Sequence, residues 1–231
     1  MDRSGFEISR RHLVAALTLA PVASLARPAL AADTSKQISS AAALQRLKLG
    51  NARYVAGNHL RIDHSSRRES VAPAQLPFAI VLGCSDSRVP PEILFDQGLG
   101  DVFTIRVAGN IADDLAIGSM EYAVAHFATP LIVVLGHQSC GAVAATVDAV
   151  AAGVTPPPHI ASLVAAIKPA VEASKGMAGN AVENAITTHI QQTVAALKTT
   201  GPVLADAVAQ KKLAIVGAEY HLANGLVTFL A

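Results

Sequence analysis

Short apolar runs alternate with longer stretches of helical spacing along most of the chain. Runs rich in Val and Ile, each ended by Gly or a polar residue, predict strands at Phe78–Leu82, Val102–Val107, Leu131–Leu135 and Leu213–Val216. These runs are apolar at almost every position, which is typical of parallel strands buried on both faces. A terminal hairpin-like segment is predicted around Asn224-Gly225, from Ala218–Leu222 and Leu226–Leu230.

Apolar positions at helical spacing predict helices between these strands. One predicted helix begins at a cap formed by Asp113 or Asp114 and runs to Phe127. Its residues Leu115, Val124 and Phe127 are expected to face inward. The other predicted helices are Ser40–Tyr54, Gly141–Ala152, Ile160–Ser174, Ala181–Leu197 and Pro202–Gln210, and the polar segment His59–Gln75 predicts a surface connection or a short helix.

The alternation of strands and helices predicts an α/β fold with a mainly parallel central β-sheet flanked by helices. We assign residues 32–75 to an N-terminal helical arm and residues 76–231 to the α/β core.

Residues 1–31 have the order of a cleavable signal peptide. The pair Arg10-Arg11 precedes a short apolar stretch, Leu13–Ala20, and Ala29-Leu30-Ala31 supplies small residues at a cleavage site. The arginine pair resembles the twin-arginine type, so we expect cleavage after Ala31 and a periplasmic location. The alternative is a cytosolic protein whose first residues form a loose amphipathic arm.

The composition of the chain limits the classes of partner that it is expected to bind. Among 231 residues, 18 basic and 17 acidic side chains leave a formal charge of +1, which argues against a nucleic-acid partner. The sequence contains no apolar run of about eighteen residues, so we expect no membrane contact beyond the export machinery.

Candidate chemistry follows two of the predicted strands. Cys84 comes directly after the first core strand, and His137 and Cys140 follow the third. Because ligands of parallel sheets bind beyond the carboxyl ends of the strands, these three side chains are expected to meet. Two thiolates and an imidazole are a zinc set, since sulfur ligands exclude magnesium and calcium.

Asp86 and Arg88 decide what a fourth zinc position could do. With Asp86 bound, two thiolates and a carboxylate place three negative charges around a dication, and no position remains for water. The fork of Arg88 can instead hold Asp86 away from the metal through paired hydrogen bonds.

Simpler interpretations exist for each residue. A cysteine is most often a small buried apolar residue, and Asp86 could be a helix cap with Arg88 as its ion pair. Arg106–Asn110 is interpreted as a strand end and its turn. The remaining histidines are treated as ordinary core or surface residues, namely His12, His59, His64, His126, His159, His189 and His221.

The two motifs together resemble the β-class carbonic anhydrases. The resemblance rests on Cys84-Ser85-Asp86-Ser87-Arg88 and His137-Gln138-Ser139-Cys140-Gly141, and it extends through stretches such as Phe95-Asp96-Gln97-Gly98 and Arg106-Val107-Ala108-Gly109-Asn110. It implies a lyase that interconverts CO2 and bicarbonate through zinc-bound hydroxide, with one Zn2+ per subunit.

The resemblance also implies residue roles. Cys84, His137 and Cys140 would be the metal ligands, and Asp86 and Arg88 the catalytic dyad, with Asp86 as a fourth ligand in a closed state. Gln75, from a neighbouring subunit, and Gly141 would contact the substrate. The family implies a homodimer or homotetramer, with the N-terminal helix lying on its partner.

Two other functions remain open from the sequence. The same scaffold could hydrolyse CS2 or COS, since the metal chemistry would be the same. A non-catalytic zinc-binding protein, with Asp86 permanently on the metal, is the other alternative.

Overall fold

A single sheet organises the described part of the chain. The computed structural model describes residues 33–230, so the predicted signal peptide lies outside the described residues. Within this range the strand order is β2-β1-β3-β4-β5, with β1 Ala79–Gly83, β2 Val102–Arg106, β3 Leu131–His137, β4 Ala214–Tyr220 and β5 Val227–Phe229. Strands β1 to β4 are parallel and β5 is antiparallel to β4, which confirms the mainly parallel sheet.

Helices connect the strands, and several begin at a side-chain cap. The Asp63 side chain accepts hydrogen bonds from the amides of Ser65 and Ser66, and the Asp113 side chain accepts one from the amide of Ala116. These amides have no hydrogen-bond partner within the first turn of their helix. No helix in residues 33–230 is long and apolar enough to cross a membrane. The helices are α1 Ser40–Val55, α2 His64–Val71, α3 Pro91–Leu94, α4 Asp114–Phe127, α5 Gly141–Ala152, α6 Pro158–Ala173, α7 Ala181–Leu197 and α8 Gly201–Ala209, with short 3-10 turns at Thr34–Lys36 and Ala108–Asn110.

Both faces of the sheet are covered, which explains the apolar strands. In β1, Ile80 and Leu82 pack with residues of α4, α6 and α7, whereas Ala79 and Val81 pack with residues of α1 and the α3 region. Side chains alternate between the faces of a strand, so burial on both sides requires an apolar residue at every position.

The strand order creates a crevice at one end of the sheet. Strand β1 lies between β2 and β3, so the connection from β1 to β2 runs one way along the sheet and the connection from β2 to β3 runs back past β1. In parallel sheets the connections separate at such a point and leave an opening beyond the carboxyl ends of the strands. The residues that follow β1 and β3 therefore border the same opening.

Two predicted burial patterns are wrong. Strand β2 is only partly buried throughout, because it lies at the edge of the sheet with β1 as its neighbour. Leu115 is 82% exposed rather than inward. The buried stripe of α4 is instead Ala116, Met120, Ala123 and Phe127, whose spacing of four, three and four residues follows one face of the helix.

The fourth strand and the first half of the predicted hairpin form one continuous strand, β4. Gly217 does not interrupt it, and β5 pairs with its second half from Ala218↔Phe229 to Tyr220↔Val227. A Cβ at Gly217 would lie 2.7 Å from Ile190 Cγ2, so the glycine allows α7 to approach the sheet. The glycine marks close packing here and not a turn.

The N-terminal helix packs on its own chain. Ala43 and Leu47 of α1 are fully buried in the cluster on the second face of the sheet. The expectation that this helix also lies on a partner subunit stays a prediction. Leu49 on the same helix is 52% exposed, so only one face of α1 is covered within the chain.

Asp96 joins α1 to the segment that follows α3. Its buried carboxylate accepts a hydrogen bond from Arg53 Nε at 2.5 Å and from the amide of Leu60 at 3.1 Å. Burial acts to raise the pKa of Asp96, but Arg53 and the Leu60 amide outweigh it, so the pKa lies below its ordinary value. A carboxyl group whose pKa is lowered by folding stabilises the native state above its unfolded pKa.

We predict that Asp96→Asn lowers the free energy of unfolding by about 1–3 kcal/mol at neutral pH, because the charged partner of a buried network is lost. The difference from wild type should shrink as pH falls below about 4, where Asp96 becomes protonated in the unfolded chain. Urea unfolding at several pH values measures this. Asp206→Asn, an exposed carboxylate, is the matched control, and equal effects of both variants at neutral pH would contradict the prediction.

Candidate metal centre

The three predicted metal ligands meet at the crevice. Cys84 follows the last residue of β1, His137 is the last residue of β3, and Cys140 is the cap residue of α5. The two strands are neighbours, with Gly83 paired to Leu135, so their ends lie side by side. The ligand atoms of Cys84, His137 and Cys140 all lie within 4.8 Å of one another, and the residues are 5%, 0% and 1% exposed.

His137 is oriented for metal binding. Its Nδ1 lies 2.9 Å from the carbonyl oxygen of Gln138, and since a carbonyl only accepts, Nδ1 carries the proton. Nε2 is therefore the nitrogen with a free lone pair, and it is buried without a hydrogen-bond partner among the described residues. A buried imidazole nitrogen beside two sulfurs fits Zn2+ in donor type and in protonation.

The two thiols influence each other strongly. The neighbouring thiol of Cys140 holds the pKa of Cys84 well below its ordinary value, against burial and with help from the amide of Gly109. The same contact with Cys84, together with burial, raises the pKa of Cys140. One of the two thiols is therefore readily ionised. The second loses its proton only when a cation binds beside it.

Asp86 lies beside this cluster and is held by Arg88. Arg88 Nε donates to Asp86 Oδ1 at 2.9 Å and its Nη2 donates to Oδ2 at 2.7 Å, while the Arg88 amide also donates to Oδ1 at 2.9 Å. These hydrogen bonds, led by the guanidinium, keep the pKa of Asp86 well below its ordinary value. Oδ2 lies 3.9 Å from His137 Nε2, which places the carboxylate next to the ligand atoms.

Arg106 has a contact that the sequence analysis missed. Its Nε donates to the carbonyl oxygen of Cys84 at 2.9 Å, and its Nη2 donates to the carbonyl oxygen of Asp86 at 2.5 Å. The segment was interpreted as a strand end, which is true of its backbone, but the side chain clamps the loop that carries a ligand. The sequence did offer one indication of this contact. Arg106 has a long, charged side chain at the end of the strand next to the loop that carries Cys84.

Gly109 was also missed as a contact of the metal site. Its amide donates to Cys84 Sγ at 3.2 Å. Gly109 has φ of 71°, a conformation that glycine adopts without strain, and a Cβ there would lie 2.7 Å from Ile167 Cδ1. The glycine therefore lets the turn come close enough to reach the sulfur.

The two predicted substrate contacts fall in different places. Gly141 begins α5 directly after Cys140, and its exposed backbone borders the site. Gln75 is exposed and precedes β1, whereas Cys84 follows β1. At about 3.3 Å per residue, the five-residue strand separates them by roughly 16 Å, so Gln75 lies towards the opposite end of the sheet from the metal ligands of its own chain.

Comparisons with known proteins agree with this geometry. The family model described as carbonic anhydrase matches residues 79–227. A carbonic anhydrase of Mycolicibacterium smegmatis is 46% identical over 187 residues, which are 80% of this chain and 91% of the relative. Carbonic anhydrase 2 of Mycobacterium tuberculosis is 42% identical over 188 residues, 80% of this chain and 89% of the relative.

Solved structures share the fold. The Coccomyxa β-carbonic anhydrase in complex with acetazolamide superimposes with a TM-score of 0.64 at 27% identity, covering 72% of this chain and 77% of that chain. The β-carbonic anhydrase CcaA superimposes with a TM-score of 0.65 at 25% identity, covering 82% of this chain and 92% of that chain.

The family model covers the sheet, both ligand-bearing loops and the helices between them, and the mycobacterial relatives match most of their own length. β-Carbonic anhydrases use zinc, and the Cys84, His137 and Cys140 cluster is in a position to bind one metal ion. The chain belongs to the β-class carbonic anhydrases, the zinc lyases that hydrate CO2.

Proposed function

We propose that this chain hydrates CO2 reversibly at one Zn2+ per subunit held by Cys84, His137 and Cys140, with Asp86 and Arg88 as the catalytic dyad. The observation that carries the proposal is the pair of hydrogen bonds from the Arg88 guanidinium to the Asp86 carboxylate, beside the buried ligand cluster. Each oxygen of the carboxylate held in this way accepts a hydrogen bond from Arg88, and Oδ2 keeps a second lone pair for water, which favours an open metal position over a closed one.

Zinc at this site would act as a Lewis acid that makes a water molecule nucleophilic near neutral pH. The chain then has to orient that water and accept its hydrogen bond. Asp86 Oδ2 is the acceptor nearest His137 Nε2 among the contacts described, and Arg88 keeps it ionised. Asp86 therefore orients the attacking water, while Arg88 prevents the carboxylate from taking the water's place.

The hydrogen bonds between Asp86 and Arg88 argue against one of the two alternative functions and do not affect the other. A permanently closed, non-catalytic zinc site would need Asp86 on the metal, and the hydrogen bonds to Arg88 favour the opposite arrangement. Hydrolysis of CS2 or COS would use the same metal site, so it is distinguished by assay rather than by the geometry of the ligands.

We propose that the chain forms a homodimer or homotetramer in which Gln75 of one subunit completes the site of another. Gln75 and Cys84 lie at opposite ends of β1, so a single subunit does not bring them together. The exposed position of Gln75 leaves it available to a second copy.

We also propose that the chain is exported to the periplasm after cleavage behind Ala31. The support is the sequence of residues 1–31, with Arg10 and Arg11 before an apolar stretch and Ala29 and Ala31 at the cleavage site. Export of a folded protein would let zinc protect the thiols from oxidation, since both ligands would be bound before arrival.

We predict that Asp86→Asn retains one equivalent of zinc and loses about 10²- to 10⁴-fold in kcat/KM for CO2 hydration, the range typical of a group that handles the reacting proton. Stopped-flow hydration and metal analysis on the same sample measure both quantities. Asp114→Asn makes the same chemical change at an exposed helix start and should keep wild-type activity.

Full CO2 hydration by zinc-loaded Asp86→Asn would contradict the role given to the dyad. Headspace assays of the wild type with COS and CS2 address the alternative substrates. Turnover of either gas with no hydration of CO2 would replace the proposed substrate.

We predict that coexpressing Gln75→Ala with Asp86→Asn restores CO2 hydration that neither variant has alone. In a mixed dimer, the Gln75→Ala subunit keeps its own Asp86 and receives Gln75 from its partner. Random pairing makes half of the dimers mixed with one competent site each, so activity should approach about one quarter of wild type. Activity no greater than the sum of the two separate variants would place Gln75 in its own subunit's site or outside the chemistry.

We predict that protein from the periplasmic fraction begins at Ala32, as measured by amino-terminal sequencing. Replacing Arg10 and Arg11 with Lys should retain the precursor in the cytosol, because the paired guanidinium groups are the part of the signal that a twin-arginine pathway reads. An intact Met1 in a cytosolic protein would contradict export.

A further inference from the structure

Helix α7 contacts the segment between His137 and Cys140 and the turn at Gly109, which in turn contacts Cys84, although the helix supplies no ligand itself. His189 Nε2 lies 3.0 Å from the carbonyl oxygen of Gly109, and the amide of Gly109 donates to Cys84 Sγ. Six residues earlier on the helix, Glu183 Oε1 accepts a hydrogen bond from the amide of Ser139 at 3.0 Å. Ser139 lies between His137 and Cys140, so α7 contacts one ligand segment directly and the other through Gly109.

The contact of His189 fixes its protonation state. The carbonyl of Gly109 only accepts, so Nε2 of His189 carries the proton and donates it. The residue is 7% exposed, and burial lowers its pKa, which keeps the imidazole neutral at neutral pH. His189 is therefore a fixed donor that holds the turn whose amide reaches the sulfur of Cys84.

The contact of Glu183 supports a strained turn. Ser139 has φ of 53°, in the left-handed region that residues other than glycine rarely occupy. Such a conformation persists where surrounding contacts hold it, and here a carboxylate accepts the Ser139 amide. The turn directs His137 and Cys140 to the same point, so this conformation matters for the ligand geometry.

Glu183 lies in the first turn of α7, where a carboxylate also interacts favourably with the helix N-terminus. Its second oxygen, Oε2, is buried and has no hydrogen-bond partner among the described residues. A buried polar atom without a partner destabilises a protein. The hydrogen bond that Oε1 accepts from the Ser139 amide, and the place of the carboxylate at the helix N-terminus, offset this cost.

We propose that α7 braces the metal centre, with His189 and Glu183 as positioning residues that hold the Cys84 segment and the His137–Cys140 turn for zinc. The inference rests on the zinc site of the proposed function. Neither side chain touches zinc or substrate in this role. They act through Gly109 and Ser139, in the way that groups behind the ligands tune metal sites in general.

If α7 holds the metal centre in this way, removing the contact of His189 or of Glu183 should make zinc dissociate faster. His189→Phe keeps a ring in the buried position but has no donor, and Glu183→Ala removes the acceptor of the Ser139 amide. Each should release zinc to a chromogenic chelator about 10- to 100-fold faster than wild type, the usual effect of losing a group behind a ligand. His189→Gln offers an amide donor in place of Nε2–H and should release zinc within about threefold of wild type.

A spectroscopic measurement separates positioning from general destabilisation. The cobalt-substituted protein reports thiolate coordination through its absorption bands, which should shift in His189→Phe and Glu183→Ala and return in His189→Gln. Thr193→Val lies one turn further along the buried face of α7 and should leave both the release rate and the spectrum unchanged.

Several outcomes overturn the proposal. Wild-type release rates and spectra in folded His189→Phe or Glu183→Ala would do so, as would equally fast release from His189→Gln and His189→Phe. If His189→Phe does not fold, Glu183→Ala and the comparison of His189→Gln with His189→Asn, whose shorter amide does not reach Gly109, decide the matter. A wild-type protein that holds no zinc would refute the proposed function itself, which is a separate result.

Discussion

Two sulfur atoms buried side by side can both be ionised only next to a cation, and the arrangement of this protein depends on that constraint. The neighbouring Cys140 thiol lowers the pKa of Cys84, and the pKa of Cys140 is raised in turn, so one shared proton remains on the pair. Zinc would replace the shared proton and balance both charges. Asp86 is a third acidic group at the same place, and its charge is balanced by Arg88 and not by the metal. In the proposed mechanism, this pairing of charges would leave one position on the metal available for water.

This balance requires accurate placement of two separate segments. Neighbouring parallel strands bring the segments to one edge of the sheet, but a strand end alone leaves the following loop free to move. Arg106 holds the carbonyl oxygens of Cys84 and Asp86, and the amide of Gly109 reaches the sulfur. Contacts between the loops, and between the loops and α7, convert two adjacent loops into one rigid site.

The sheet also separates functions between its two ends. The carboxyl ends of β1 and β3 carry the ligands and the dyad, while Gln75 lies before the amino end of β1. A residue so far from the metal in its own chain can act in catalysis only when a second copy supplies it. The edge strand β2 and the exposed face of α1 are partly uncovered within one chain, which is compatible with association but does not define the interface.

The sequence by itself determined the fold class, most of the helices and the residues of the metal cluster. Strands buried on both faces need apolar residues at every position, and soft ligands after two such strands are chemically specific, so both signals are local. The tertiary structure decided the rest. It decided that β2 is an edge strand, that Leu115 faces outward and that β4 is continuous through Gly217, because each depends on which element lies alongside. It also decided the contacts of Arg106, Gly109, Glu183 and His189, since hydrogen bonds between residues distant in sequence leave no pattern of spacing along the chain.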